Sequence, residues 1–207
     1  MSVDYIIIQA GGKGTRLKPL TQNKPKGIVP VNNLPIIFNL FRQYPDKQFI
    51  IIGDYKHEVL DEYLEAFCKV KYITVKATET GTCGGLKTAL GYIPESRPFL
   101  LIWSDLILAK GMDLDILSDS NKVGISKDFE CRWSYKDGVF EEVRSKAHGV
   151  AGAFVFKNKA ELKEVPTSGE FVRWLSNSDL LFDEWDLTGT REIGTLLALE
   201  ENTVTHY

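Results

Sequence analysis

The chain has 207 residues, of which 43% are hydrophobic and 26% are charged, as in an ordinary globular protein with a sizeable core. Its formal net charge of -3 provides no overall positive field, so we expect neither nucleic acid nor a membrane surface as a partner. The 3 cysteines lack close spacing, which argues against a disulfide framework and a zinc site and fits a reducing cytoplasm, and no apolar stretch has the length that crosses a bilayer.

The first half of the chain alternates between strand-like and helix-like segments. Compact apolar runs at residues 3–9, 49–53 and 99–108 are typical of strands that are buried on both faces of a sheet. Apolar residues at helical spacing predict helices between these runs, at residues 35–42, 56–67 and 85–92. This rhythm predicts a parallel sheet with right-handed crossovers.

After Asp105 the alternation becomes looser. An Asp-Gly turn at Asp137 and Gly138 between two strand-like arms predicts a β-hairpin, and Gly149–Phe156 is typical of one more buried strand. Helices are expected near residues 158–164, 169–176 and 194–201. Because no linker, repeat or low-complexity tract interrupts the pattern, we expect one α/β domain over residues 1–207, with an inserted hairpin layer.

A cationic, glycine-rich loop follows the first predicted strand, in the segment GGKGTRLKPLTQNKPKG. Ligands in open α/β sheets bind beyond the carboxyl ends of the strands, which is where this loop begins. Its glycines let backbone N–H groups approach a ligand closely, and Lys13 and Arg16 add side-chain donors. The loop therefore predicts a polyphosphate ligand.

Two well-known phosphate loops do not fit this segment. A Walker A loop needs Ser or Thr after its lysine, but Gly14 follows Lys13, and the dinucleotide fingerprint needs glycine where Leu17 stands. The alternative to a ligand site is a turn that merely contains glycines. The cations Arg16, Lys24 and Lys26 in the same loop make that alternative the weaker one.

The segments GGKGTRLKPLT and KPKGIVPV resemble the signature of the sugar-1-phosphate nucleotidyltransferases and their small cytidylyltransferase relatives. Further segments fit the family in the expected order: TGTCGGLKTAL, LLIWSDLIL, HGVAGAFVF and EIGTLLALE. The resemblance implies an α/β fold, a Rossmann-like three-layer sandwich with a mixed, mostly parallel sheet. It also implies a reaction in which an acceptor phosphate or phosphonate oxygen attacks the α-phosphorus of a nucleoside triphosphate and pyrophosphate leaves.

The resemblance assigns roles to the residues that match the motifs. Backbone and side chains of the opening loop would bind the triphosphate, and these are Gly11, Gly12, Lys13, Gly14, Thr15 and Arg16. Lys26 would bridge the reacting phosphates, while Asp105 and the late acid Glu192 would bind Mg²⁺. Ser104, which stands where the family usually has Gly, is also expected to bind the nucleotide, and Asp186 is the alternative for the late acid.

The resemblance places the base of the nucleotide near the segment 76–84. The residues expected there are Gln9, Ala10, Lys76, Glu79, Gly81 and Thr82. CTP is favoured because the exocyclic amine of cytosine needs an acceptor, which Glu79 or a loop carbonyl could supply. The expected acceptor-binding residues are Lys146, Arg144 and Glu170, and the tryptophans are candidates for the pocket walls.

Within this family, the sequence favours a small cytidylyltransferase for a phosphocholine-like or phosphoamino-acid acceptor. Such an enzyme would supply an activated precursor for a surface glycan or a phospholipid-like modification. The alternatives are a sugar-1-phosphate nucleotidyltransferase that uses UTP, dTTP or GTP, a GTP-using transferase for a molybdopterin cofactor, and an inactive nucleotide-binding regulatory domain. A homodimer is compatible with the sequence.

Overall fold

A mixed β-sheet organises the part of the chain that the computed structural model describes, residues 2–116 and 120–203. The strands, in chain order, are β1 (Tyr5–Gln9), β2 (Pro30–Val31), β3 (Leu34–Pro35), β4 (Gln48–Gly53), β5 (Lys71–Lys76), β6 (Phe99–Trp103), β7 (Leu106–Ile107), β8 (Asn121–Ser126), β9 (Ser134–Lys136), β10 (Val139–Glu141), β11 (Gly149–Phe156), β12 (Phe182–Asp186) and β13 (Arg191–Glu192). The α-helices are α1 (Ile36–Gln43), α2 (His57–Phe67), α3 (Cys83–Leu90), α4 (Phe171–Leu175) and α5 (Leu196–Glu201), and short 3₁₀ turns span Thr15–Leu17, Lys26–Ile28 and Lys159–Leu162.

The main sheet has a parallel centre and an antiparallel side. Strands β5, β4, β1 and β6 lie side by side in that order, and all three pairings between them are parallel. Strand β11 is antiparallel to β6 and β8, and β12 is parallel to β8. The sequence-based expectation of a mixed, mostly parallel α/β sheet is confirmed.

Apolar cores cover both faces of the sheet. In β1, Ile7 packs in a cluster with the α3 residue Leu86, whereas Ile6 and Ile8 pack in a cluster with the α2 residue Leu60. Because side chains alternate along a strand, an unbroken apolar run is what a strand covered on both faces requires. Full burial of each such side chain stabilises the fold by about 1.5–3 kcal/mol. The result is the expected three-layer sandwich.

The β9–β10 hairpin forms as predicted, with Asp137 and Gly138 at φ 50° and 86° in its two-residue turn. It does not make a separate layer. Strand β9 meets β11 at the pair Ser134 and Gly149, so the hairpin extends one end of the main sheet.

Several element boundaries differ from the sequence prediction. The strand expected at 99–108 is divided by a turn at Ser104 and Asp105 into β6 and β7, and the helix expected near 158–164 is only the 3₁₀ turn Lys159–Leu162. Strands β2, β3, β5, β8, β12 and β13 were not predicted. In the described part of the chain, no helix combines the length and the apolar character needed to span a bilayer.

Candidate active site

Two adjoining cavities open at the carboxyl ends of the parallel strands, the edge where open α/β sheets bind ligands. The first cavity, of about 320 Å³, lies over the ends of β1, β4 and β6, and the second, of about 510 Å³, extends toward β11. Lys26 and Trp103 line both cavities. These residues therefore stand where a group bound in one cavity meets a group bound in the other.

The glycine-rich loop forms one wall of the first cavity, through Gly11, Gly12 and Lys13. Gly14 turns the chain at φ 58°, a left-handed conformation that favours glycine. A Cβ added to Gly14 would lie only 3.1 Å from the Cβ of Lys26, so the missing side chain also lets the Lys26 stem pack against the loop.

The residues on either side of these glycines hold the loop in place, and Arg16 among them is exposed. Ala10 is buried, and its N–H donates to the carbonyl of Ile52 at 2.8 Å, which ties the loop to β4. Thr15 begins the 3₁₀ turn, whose buried Leu17 anchors it in the core. Arg16, between them, has a side chain that is 66% exposed and lines the second cavity.

Lys26 and Asp105 form an ion pair at the junction of the cavities. The distance from Lys26 Nζ to Asp105 Oδ2 is 2.5 Å, and only 16% and 8% of the two side chains are exposed. Gly27 makes this approach feasible, because a Cβ there would lie 3.3 Å from the Cβ of Ser104 and 2.9 Å from Ile37 Cγ2. The Oγ atom of Ser104 is buried and has no hydrogen-bond partner within residues 2–116 and 120–203.

A short pairing of β13 with β7 brings Glu192 to this ion pair. Glu192 lies opposite Leu106, and the N–H of Ile193 donates to the carbonyl of Asp105 at 2.8 Å. Burial, and then the negative charge of Asp105, raise the pKa of Glu192 above its usual value. Arg16 Nη2 lies 3.6 Å from Glu192 Oε1 and counteracts this rise.

Asp186, the alternative late acid, lies elsewhere. Its Oδ1 accepts hydrogen bonds from the N–H and the hydroxyl of Thr188, at 2.8 and 2.7 Å. These bonds lower the pKa of the Asp186 carboxyl. Asp186 is exposed in β12 and lines neither cavity. Of the two acids, the structure brings only Glu192 to Asp105.

The pair of acids suits a divalent cation. Asp105 and Glu192 are close enough for one charge to raise the pKa of the other, a repulsion that a shared cation relieves. Carboxylate oxygens are ligands that Mg²⁺ prefers, and substrate phosphates usually supply others. Among the described residues, no group of three or more His, Cys, Asp or Glu forms a complete protein cage. The arrangement fits a Mg²⁺ site that a bound nucleotide completes.

At its other end the first cavity is closed by the start of α3. Gln9 Nε2 donates to the carbonyl of Thr82 at 2.8 Å, which joins the end of β1 to this segment. Gly81, at φ 92°, lies against Gly169, where an added Cβ would be 2.2 Å from the carbonyl oxygen. Gln9, Gly81 and Thr82 line the cavity as the sequence predicts.

Two residues predicted for the base pocket are not on the wall of this cavity. Lys76 points its Nζ at Glu58 Oε1, 2.7 Å away on the surface, and Glu79 is exposed beside Gly84. The positions that do line the cavity at this end are Asp54 and Ala77. Sequence reasoning missed Asp54, although its place directly after a buried strand was a usable signal.

The second cavity contains part of the predicted acceptor site. Arg144 lines it, and its Nη1 lies 2.9 Å from Glu130 Oε2 in an exposed ion pair. Glu170 also lines it, but its carboxylate accepts the N–H groups of Val172 and Arg173 and so caps α4. Lys146 is exposed and is not on this wall.

The structure adds Arg132 and Trp133 to this cavity. Arg132 Nε lies 3.0 Å from Glu142 Oε1, and both side chains are partly exposed. Exposed ion pairs are weak, so an anionic ligand could bind Arg132 without a large loss of free energy from its pair with Glu142. The signal for both residues was their position in the first arm of the predicted hairpin.

Cys131, in the same cavity, is poorly suited to act as a nucleophile. Burial, and then the charges of Glu192, Asp105 and Glu130, raise the pKa of its thiol to about 12. The reactive form of cysteine is the thiolate, which is scarce at neutral pH in such surroundings. Cys83 is likewise buried, with its pKa raised to about 11, and serves as a small core residue.

The chain matches the Nucleotidyl transferase family over residues 5–120. It is 32% identical over 124 residues to the Bifunctional protein GlmU of Methanococcus maripaludis, a match that covers 58% of this chain and 29% of that protein. It is 34% identical over 93 residues to the D-glycero-alpha-D-manno-heptose 1-phosphate guanylyltransferase of Campylobacter jejuni, with 42% of each chain covered. These matches span less than half of the length of the curated relatives.

Solved structures share the fold over nearly the whole chain. HddC from Yersinia pseudotuberculosis superimposes with a TM-score of 0.78 at 19% identity, covering 97% of this chain and 98% of that one. The CTP:phosphocholine cytidylyltransferase LicC from Streptococcus pneumoniae superimposes with a TM-score of 0.75 at 21% identity, covering 96% and 97%. The family match includes the glycine-rich loop, Lys26 and Asp105, and the chain belongs to the Nucleotidyl transferase family.

Proposed function

We propose that this protein transfers a nucleoside monophosphate from a nucleoside triphosphate to a small phosphorylated acceptor and releases pyrophosphate. The observation that carries the proposal is the junction at which two cavities meet. The buried pair of Lys26 and Asp105 lies there, beside Glu192 and Arg16. Family membership and the polyphosphate character of the loop support the assignment.

The chemistry that this site must perform is mainly electrostatic. An acceptor phosphate oxygen attacks the α-phosphorus, the bond from that phosphorus to the bridging oxygen breaks, and both electrons of the bond leave with pyrophosphate. Because the nucleophile is already an anion, no general base is needed, and cations must offset the negative charge instead. Lys26 and Arg16 are cations that the structure brings to Asp105 and Glu192 at the junction.

The nucleotide would occupy the first cavity and the acceptor the second. Gly12 and Lys13, which line the first cavity, would bind the departing phosphates, and Arg132 and Arg144, which line the second cavity, would bind the acceptor phosphate. Mg²⁺, bound by Asp105 and Glu192, would add positive charge at the α-phosphate oxygens. With the substrates in these two cavities, nucleophile and electrophile would meet at Lys26, and holding them together there would lower the entropic cost of the reaction.

The nature of the substrates is a further part of the proposal. The sequence favours CTP, while the names of relatives include a guanylyltransferase, a uridylyltransferase and a cytidylyltransferase. The acceptor class that fits the arginines of the second cavity is a sugar phosphate or another small phosphomonoester. We place the reaction in the cytoplasmic synthesis of an activated precursor for a surface glycan or a phospholipid-like modification.

Pyrophosphate release tests the proposal. The full chain would be incubated with Mg²⁺, each of CTP, GTP, UTP and dTTP, and either a set of sugar 1-phosphates or phosphocholine. We expect release with at least one pair, its loss in Lys26→Ala, and its persistence in Lys110→Ala, which changes an exposed lysine outside both cavities. Nucleotide binding without release for every pair would contradict the proposed catalysis and favour an inactive nucleotide-binding domain.

A further inference from the structure

We propose that Asp54 selects the base of the nucleotide and that the base it selects is guanine; this rests on the proposed function. Asp54 comes directly after β4, at the carboxyl end of the parallel sheet, and lines the first cavity. Its residue surface is exposed, and within the described residues its carboxylate has neither an ion-pair nor a hydrogen-bond partner. An unpaired carboxylate in a ligand cavity is available to accept hydrogen bonds from the ligand.

The backbone holds Asp54 at the end of the cavity away from the reacting groups. The N–H of Ala77 donates to Gly53 at 2.8 Å, and the N–H of Tyr55 donates to the Gly11 carbonyl at 3.3 Å, so Asp54 lies between the ends of β5 and β1. Strand β1 separates β4 from β6, which precedes Asp105. Adjacent strands are about 4.8 Å apart, so roughly 10 Å lies between the two strand ends, enough for a nucleoside.

Electrostatics assign the base, not the triphosphate, to the Asp54 end. A carboxylate repels phosphates across a short distance, while Lys26, which pairs with Asp105 beyond the end of β6, attracts them toward the other end of the cavity. Ile52 and Ala77 add apolar surface beside Asp54, which suits the face of a neutral ring. A nucleotide would therefore bind with its phosphates toward Lys26 and its base edge toward Asp54.

The chemistry of a carboxylate then distinguishes the bases. An ionised carboxyl is an acceptor with two oxygens, and guanine offers two neighbouring donors, N1–H and N2–H₂, that both oxygens can accept at once. Cytosine and adenine offer one amine beside a ring nitrogen that is itself an acceptor. Uracil and thymine offer one N–H between two carbonyls, which would face the carboxylate unfavourably. This order revises the sequence-based preference for CTP, which relied on Glu79 instead.

Equilibrium binding of GTP, CTP and UTP in the presence of Mg²⁺, by titration calorimetry, tests the inference. We expect the full chain to bind GTP about 10- to 100-fold more tightly than UTP. This is the difference in affinity that hydrogen bonds to a charged group typically produce. Asp54→Asn should reduce this ratio about tenfold. The NH₂ group of asparagine is a donor, so it cannot accept from the donors of guanine, but it can donate to a uracil carbonyl. The matched control is Asp46→Asn, an exposed acid before the opposite end of β4, which should leave the ratio unchanged.

The outcomes separate the two proposals. Nucleotide binding without a preference for GTP, or an Asp54→Asn variant that keeps the preference, would overturn the inference and leave the proposed function intact. An equal loss of affinity for all three nucleotides in Asp54→Asn would also overturn it, since Asp54 would then serve the phosphates or the fold. A full chain that binds no nucleotide would remove both proposals.

Discussion

The ion pair of Lys26 and Asp105 should have a measurable effect on stability, separate from its effect on activity. Replacing Lys26 by Met leaves the Asp105 carboxylate, 8% exposed, beside the half-buried Glu192 without its nearest cation. Removing one partner of a buried ion pair typically costs about 3–5 kcal/mol. Arg16 remains near Glu192, so we expect about 3 kcal/mol, at the lower end of that range.

A second substitution should restore most of this loss. In Lys26→Met with Asp105→Asn, no charge is left uncompensated at the junction, and replacing both partners of a buried pair is often close to neutral. For a chain of this size each kcal/mol shifts Tm by about 2–4 °C. We therefore expect Lys26→Met to lower Tm by about 6–12 °C and the double variant to recover more than half of that decrease.

Thermal unfolding followed by circular dichroism, with urea unfolding as a second probe, measures both effects. The single variant Asp105→Asn completes the double-mutant cycle, which isolates the interaction of the pair. The reasoning would be refuted by a Lys26→Met variant as stable as the wild type, or by a double variant no more stable than Lys26→Met. Either result would mean that the two side chains do not pair in the protein without substrate.

Three further predictions concern the groups around this pair. Arg16→Ala should lower kcat about a hundredfold with an unchanged Tm, because the side chain is 66% exposed and serves the phosphates, and a steady-state assay with parallel thermal unfolding checks this. Glu192→Gln should raise the Mg²⁺ concentration needed for half-maximal rate, whereas Asp186→Asn should not; the reverse result in a metal titration would mean that the late motif is wrongly aligned. The free energy of unfolding should also fall as the pH rises from about 4.5 through the raised pKa of Glu192, because the folded state holds that proton more tightly than the unfolded state does. Urea titrations across this range should show a smaller fall in Glu192→Gln, and an identical fall would exclude Glu192 as its source.

The central strands were predictable because each is covered on both faces. Residues 6–8, 49–52 and 99–103 are unbroken apolar runs, because a strand whose side chains are buried on both faces needs apolar residues at consecutive positions. Strand β5 is at the edge of the sheet and exposes both terminal lysines, and β12 has three exposed acids around its two buried aromatic residues. Such half-exposed strands lack the apolar run on which the prediction relied.

The site was predictable where one local motif contains it, and less so where distant segments meet. The opening loop and Lys26 lie in one continuous stretch, so their shared position followed from the sequence. The approach of Glu192 to Asp105 depends on the pairing of β13 with β7. Each of these strands has only two residues, too few to give a sequence pattern that predicts the pairing. Lys76 lies on the surface, where its Nζ pairs with Glu58 of α2, a residue that no local sequence pattern connects with it.

Asp54 also could not be identified from the sequence alone. As a single acid after a strand, it has no distinguishing motif, and only the order of strands places it opposite the reacting pair. Glu79 was expected to be the acceptor because the family resemblance places the base near residues 76–84. A cavity wall made from the ends of several strands is a property of the topology and not of one stretch of sequence.

A crystal structure of the full chain with Mg²⁺ and a non-hydrolysable guanosine triphosphate analogue is the measurement that tests the account most directly. We expect the α-phosphate against Lys26, the metal between Asp105 and Glu192, the outer phosphates beside Gly12 and Lys13, and the base beside Asp54. A nucleotide bound away from Lys26, or with its phosphates rather than its base beside Asp54, would contradict it.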